Sequence, residues 1–208
     1  MNVHHNWIEH TAKHGVNIAT SVQSLNLWDN VVLDAGTQYG GSLSIGDDVK
    51  GRLLNIVHNT FVQYAQKGAY ATALIFNGGS LSSGNVNIEH NIVALGIGHT
   101  SSLGFDGIGG TGAAVKVSQN LWYDFAGTVK AAPASDALAA YANPMFTMTP
   151  TSESSDDGNY LLQSTSPALN ACTTAELIAV PTDIFGSPRP VMNTSAPAAS
   201  KNALGASE

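Results

Sequence analysis

His10, Lys13 and His14 crowd into the residues just before Gly15, and Tyr64, Lys67 and Tyr70 bracket Gly68. Aligning Ala12-Lys13-His14-Gly15 with Ala65-Gln66-Lys67-Gly68 places His14 and Lys67 in one column of a repeat. The chain has only eight Lys and Arg, so this is a notable share of its positive charge. Imidazole, ammonium and phenol suit one kind of reaction, proton abstraction beside a sugar carboxylate. That reaction needs a base for the C5 proton, a cation to neutralise the carboxylate and an acid for the leaving oxygen. His14, Lys67, Lys13, His10 and Tyr64 are therefore the candidate catalytic residues. Trp28, Tyr70 and Arg52 are the candidate substrate contacts, with Lys50 adding to the basic spot at Arg52. The plainer alternative, that all of these are exposed turn residues, stays open at this point.

Other groups carry weaker signals. Four of the seven histidines fall in the first 14 residues, and imidazole is a common metal ligand. His4 and His5 are adjacent, however, and on a strand they would point to opposite faces. His5, His58 and His90 each precede an Asn at one turn position, which reads as a solvent-facing column of turn residues. Asp47-Asp48 and Asp156-Asp157 are adjacent pairs in turn-rich sequence. They read as turn formers or as a calcium-type oxygen site, and no specific motif supports the latter. No cofactor and no metal site is expected. Trp28 takes a position held elsewhere by His4, Val57, Glu89 and Ser118, whereas Trp7 and Trp122 follow repeat Asn residues and read as core. Gly-x-Ser-x-Gly is absent, and no phosphate-binding Gly loop joins a strand to a helix.

What must position these groups is a repeat. Asn6, Asn30, Asn59, Asn91 and Asn120 each close a short run of alternating apolar residues, such as Leu54-Asn55-Ile56-Val57-His58-Asn59. The spacings are 24, 29, 32 and 29 residues, the period of a stacked-repeat architecture. Each unit holds a strand before the Asn, a strand after it and a third strand after a Gly turn. Three strands per turn of chain is the triangular cross-section of a parallel β-helix. Asn tolerates the left-handed backbone region that a sharp corner needs. Stacked units lie about 4.8 Å apart, so each amide can bond the next in a ladder. The repeats occupy residues 1–130, and the Ala- and Pro-rich residues 131–208 form a closing segment of the same domain. From Asn143 onward that segment is expected to lie across the open end of the stack and shield its strand edges.

Composition narrows the class. Charged residues are 11% of the chain, well below the roughly 25% usual for soluble domains. Gly, Ser, Thr, Asn and Ala replace them, which suits short strands and tight turns. A net charge of −7 argues against a nucleic-acid partner. No apolar run approaches the roughly 18 residues of a membrane span. The single Cys172 excludes a disulfide framework and reads as a small apolar residue. The first residues lack the basic and apolar regions of a signal peptide and begin inside a repeat. The expectation is a piece of a longer protein, with a homo-oligomer formed through the uncapped first unit as a further expectation.

His58-Asn59-Thr60-Phe61 and Glu89-His90-Asn91-Ile92-Val93 resemble units of the pectate lyase-like right-handed parallel β-helix superfamily. Asn143-Pro144-Met145-Phe146, Gly158-Asn159-Tyr160-Leu161-Leu162 and Ser166-Pro167-Ala168 resemble the closing segment of many secreted β-helix proteins. Asp183-Ile184-Phe185-Gly186-Ser187-Pro188-Arg189-Pro190 and Gly205-Ala206-Ser207-Glu208 continue that likeness. The resemblance implies a right-handed coil and a secreted or cell-surface location. It also implies a polysaccharide partner, and a lyase or hydrolase acting on an acidic polysaccharide. No signature singles out one enzyme family. The alternative is a non-catalytic structural or binding β-helix, such as an adhesin, phage-tail or surface-protein segment.

Overall fold

The alternating runs that end in Asn become strands because one face of each can be buried against the runs above and below it. The structure is a computed structural model. It describes residues 1–18, 23–35, 41–45, 52–63, 72–76, 84–95, 105–106, 114–125, 136, 138–148, 159–169, 171, 182–186 and 188. In chain order the strands are β1 (Asn2–His4), β2 (Trp7–Glu9), β3 (Val16–Ile18), β4 (Ser24–Trp28), β5 (Val31–Leu33) and β6 (Gly41–Ile45). There follow β7 (Arg52–Val57), β8 (Thr60–Gln63), β9 (Thr72–Phe76), β10 (Gly84–Glu89), β11 (Ile92–Leu95) and β12 (Phe105–Asp106). The last are β13 (Ala114–Ser118), β14 (Leu121–Asp124), β15 (Ala140–Tyr141), β16 (Phe146–Met148) and β17 (Asn159–Leu162). The described residues contain no helix, and the fold is all-β.

Successive strands are dealt in rotation to three parallel sheets. The first has the order β1-β4-β7-β10-β13, the second β15-β14-β11-β8-β5-β2 and the third β12-β9-β6-β3. Strands β16 and β17 form a separate antiparallel pair. In the first sheet Leu25, Leu27, Leu54, Ile56, Val86, Ile88 and Val117 point inward and are buried together. Val32, Phe61, Val93 and Trp122 reach the same interior from the second sheet, and Leu43 and Ile45 from the third. The second sheet is also apolar on its outer side. Val31, Leu33, Val62, Ile92, Ala94 and Leu121 form another cluster with Phe146, Tyr160, Leu162 and Ala168. Phe146, Tyr160, Leu162 and Ala168 of the closing segment thus pack along the side of this sheet.

The register separates two tryptophans that the sequence groups together. Trp122 is two residues after its Asn, points inward and is 1% exposed. Trp7 is one residue after Asn6, points outward and is 43% exposed. Adjacent strand positions face opposite ways, so Trp7 is not core as expected.

The Asn series forms a continuous ladder. Asn6 Nδ2 donates to Asn30 Oδ1 at 2.8 Å, Asn30 to Asn59 at 2.9 Å, Asn59 to Asn91 at 3.1 Å and Asn91 to Asn120 at 2.9 Å. The left-handed residue at the corner is not the Asn, as expected, but the one before it. His5, Asp29, His58, His90 and Gln119 have φ of 55°, 50°, 54°, 59° and 54°. The reason is a clamp. Each Asn turns its amide back to the carbonyl two residues earlier, for instance Asn30 Nδ2 to Trp28 O at 2.9 Å. The intervening residue must then take the tight bend.

The ladder has an end. Ala140 N donates to Asn120 O, as Leu121 N does to Asn91 O one unit earlier, so Ala139 falls in the ladder column. Alanine has no amide, and Asp136 takes over. Its Oδ2 accepts from Asn120 Nδ2 at 3.0 Å, from Asn120 N at 3.2 Å and from Trp122 Nε1 at 2.9 Å. A carboxylate is acceptor-only, which suits the last position of a chain of donors.

Candidate functional site

Two corners of the coil carry the candidate groups. The first is the connection between β2 and β3. His10 begins it in a left-handed turn, φ 51°, with its N–H on Leu33 O at 3.1 Å. Lys13 is exposed, and His14 beside it is half-buried. Burial, and secondarily the Lys13 ammonium, hold the His14 imidazole below its usual range. Gly15 closes the turn by close approach: a Cβ there would lie 2.4 Å from Val32 Cγ1 and 2.8 Å from Ser42 O. Only glycine lets the chain press against β5 at this point and so carry His14 inward.

The second corner joins β1 and β4 to the turn before β2. Trp28 is half-buried on the outer side of the first sheet, in register with His4 and Val57. His4 stacks on its indole with ring centroids 4.3 Å apart and planes 10° apart. His4 and His5 do not diverge as strand alternation implies. The left-handed turn at His5 swings its ring round, and the two Nδ1 atoms meet at 2.6 Å. On its other side His5 Nε2 lies 3.6 Å from the carboxylate of fully buried Asp29. Thr182 Oγ1, from the closing segment, is 3.3 Å from the same nitrogen.

Sequence reasoning therefore brought His10, Lys13 and His14 to one turn, and the structure keeps them there. Trp28 belongs to a different corner, with His4 and His5. Lys67, Tyr64 and Tyr70, the Arg52 side chain and both Asp pairs lie outside the described residues. His58 and His90 are a turn column, but they are buried rather than solvent-facing. Their rings lie 5.2 Å apart on successive units, so each covers the other. The sequence places Asp29 on the surface of the His column, and the structure sets it beside His5; the arrival of Thr182 was missed. No spacing rule announces a contact across 177 residues.

The outer side of the first sheet has a second file of asparagines. Asn26 Nδ2 donates to Asn2 Oδ1 at 3.0 Å, Asn55 to Asn26 at 2.9 Å and Asn87 to Asn55 at 2.8 Å. Lys116 continues this column by register with Asn87 and pairs with Glu89, whose carboxylate is buried. No protein-family model matches the chain, and no curated protein matches it either. The chemistry must therefore be read from the geometry itself. Among the described residues, no group of three or more His, Cys, Asp or Glu is placed to hold a metal ion. What the first corner offers is an uncharged imidazole beside a cation. What the second offers is an aromatic face beside two imidazoles.

Proposed function

We propose that the chain is a right-handed parallel β-helix of the pectate lyase-like kind that binds and acts on an acidic polysaccharide outside the cell. The rotation of strands among three parallel sheets supports the coil. Its right-handed sense is supported by the strong steric bias of crossovers between parallel strands. One observation carries the substrate reading: His14 is held toward its neutral form next to exposed Lys13. A neutral imidazole accepts a proton at neutral pH, and a neighbouring ammonium stabilises a sugar carboxylate as its α-carbon loses that proton. In this reading His14 is the base, Lys13 and Lys67 neutralise the carboxylate, and Tyr64 or His10 protonates the leaving oxygen. Arg52 and Tyr70 hold neighbouring sugars, and Trp28 offers a ring face for stacking.

The test is incubation with pectate, alginate and other uronic-acid polymers while following the ultraviolet absorbance of unsaturated ends and the release of reducing ends. Turnover that falls by about two orders of magnitude in His14→Ala is the expected result, the usual size of a lost general base. Turnover unchanged in both His14→Ala and Lys67→Ala would remove these residues from the reaction. A second reading, a non-catalytic binding or structural β-helix, is favoured by the separation of Trp28 from the His10–His14 turn. Binding to a glycan array without any product supports that reading over the first.

A further inference from the structure

We propose that His4 and His5 form a binding site for a divalent transition-metal ion with imidazole affinity, Cu²⁺ ahead of Zn²⁺. This inference is independent of the polysaccharide reading. It rests on the convergence of the two Nδ1 atoms, 2.6 Å apart, with their rings nearly perpendicular at 81°. Two neutral imidazoles cannot aim lone pairs at one another at that distance. Something positive must lie between them, either a proton on one nitrogen or a metal ion bound by both. Metal–imidazole bonds of about 2.0–2.1 Å need the nitrogens to part by a few tenths of an ångström. His4 is exposed and only stacked on Trp28, so its ring can slide by that amount.

The surroundings fit a ligand better than a chance contact. A metal-bound imidazole is commonly oriented by a carboxylate at its other nitrogen. His5 Nε2 faces two oxygens, the Thr182 hydroxyl at 3.3 Å and the carboxylate of fully buried Asp29 at 3.6 Å, the latter within ion-pair reach and a short shift from a hydrogen bond. The left-handed turn that turns His5 toward His4 is itself fixed, because Asn6 Nδ2 clamps His4 O at 2.9 Å. The site is thus two imidazoles on a rigid corner, with the remaining coordination positions open to water or to an oxygen or nitrogen of another molecule. Two neutral nitrogen ligands favour Cu²⁺ over Zn²⁺ by the ordinary order of divalent affinities.

The stack on Trp28 supplies a local reporter, since Cu²⁺ held by His4 would quench that indole. The experiment is titration of the whole chain with Cu²⁺ and then Zn²⁺, followed by tryptophan fluorescence and calorimetry. One tight equivalent is expected, with quenching by Cu²⁺ that is largely lost in Trp28→Phe while the calorimetric equivalent remains. His4→Ala and His5→Ala should each weaken binding at least about tenfold, and Asp29→Asn by about ten- to a hundredfold, the usual range for a lost carboxylate partner. Equal stoichiometry and affinity in wild type, His4→Ala and His5→Ala would overturn the proposal and place the ion elsewhere on the chain. No saturable heat in the wild type would overturn it as well, leaving a shared proton between the rings.

Discussion

Two files of asparagine run up the coil four residues apart, one on the strands of the first sheet and one at the corners that follow them, and they are not equivalent. Asn30, Asn59, Asn91 and Asn120 are fully buried. The two N–H groups of each Nδ2 are shared among three acceptors: the next side chain, its own carbonyl two residues back and a carbonyl of the previous unit. Those carbonyl contacts fix which atom of the amide is nitrogen, so the ladder has a direction, from Asn6 toward Asp136. The outer file, Asn2, Asn26, Asn55 and Asn87, bonds only along itself, and most of its members face solvent in part. The same residue at the same spacing is thus structural framework in one file and surface in the other. A hydrogen bond's worth depends on what happens to its partners when it is lost.

Breaking the inner file should show the largest effect. Asn91→Ala deprives the Asn59 amide and N–H of their acceptor and leaves the carbonyls of Ile56 and Glu89 short of a donor. Each buried group left unpaired costs about 1–3 kcal/mol, so a loss above about 3 kcal/mol is expected in urea or thermal unfolding. A loss under 1 kcal/mol would mean that the ladder is decorative. Asp136→Ala comes next. It takes one acceptor from each of Asn120 N, Asn120 Nδ2 and Trp122 Nε1 at once, with an expected cost of about 2–4 kcal/mol. Asp136→Asn keeps an acceptor oxygen and should recover at least half of that loss. If alanine and asparagine at 136 are equally destabilising, the carboxylate does more than accept these three bonds.

How much of this was legible beforehand depends on periodicity. The five ladder Asn residues, the three strands per unit and the inward file of Leu, Ile and Val follow from runs that repeat about every 29 residues. The outer file was equally periodic, at four residues before each ladder Asn, and its break at Lys116 marks where an ion pair replaces an amide bond. Asp136 was not legible. It lies 16 residues beyond Asn120, in an Ala-rich stretch, and replaces the ladder Asn from three residues before its column. The left-handed residue was misplaced by one position, because tolerance of that region was credited to Asn. The amide is needed for hydrogen bonding, so its neighbour bends instead. The meeting of His4 with His5 is a consequence of the same bend. For the candidate site, the closeness of Lys13 and His14 is local in sequence, and the nearness of Asp29 to His5 follows from their shared place before a ladder Asn. The contact of Thr182 is long-range and did not show.

The outer file supplies the contrasting experiment. Asn55→Ala removes one bond given and one received, beside residues that water can reach. Asn55 is itself buried, but its partners Asn26 and Asn87 are only half-buried and can turn to water, so the expected cost is about 1 kcal/mol. A double variant with Asn91→Ala should be more than additive only if the two files communicate through the paired strands β7 and β10. Additivity within about 0.5 kcal/mol is the expected result, since the files lie on opposite faces and share no partner.

The smallest effect concerns a polar group that belongs to neither file. His14 is only partly covered, and its imidazole is held below the usual 6.5 by burial first and by Lys13 second. The folded chain therefore binds this proton less readily than the unfolded chain. Above about pH 6.5 both states leave His14 neutral and it contributes no pH dependence. As the pH falls below that value the unfolded state takes up the proton first, so stability declines until the folded-state value is passed. Water reaches much of the ring, so the decline should be slight. Comparing urea midpoints at pH 7 and pH 5 for wild type and His14→Gln isolates it. The variant should lose less between the two pH values. An equal loss in both would mean that His14 takes no part in the acid sensitivity, and a larger loss in the variant would mean that folding favours the charged imidazole.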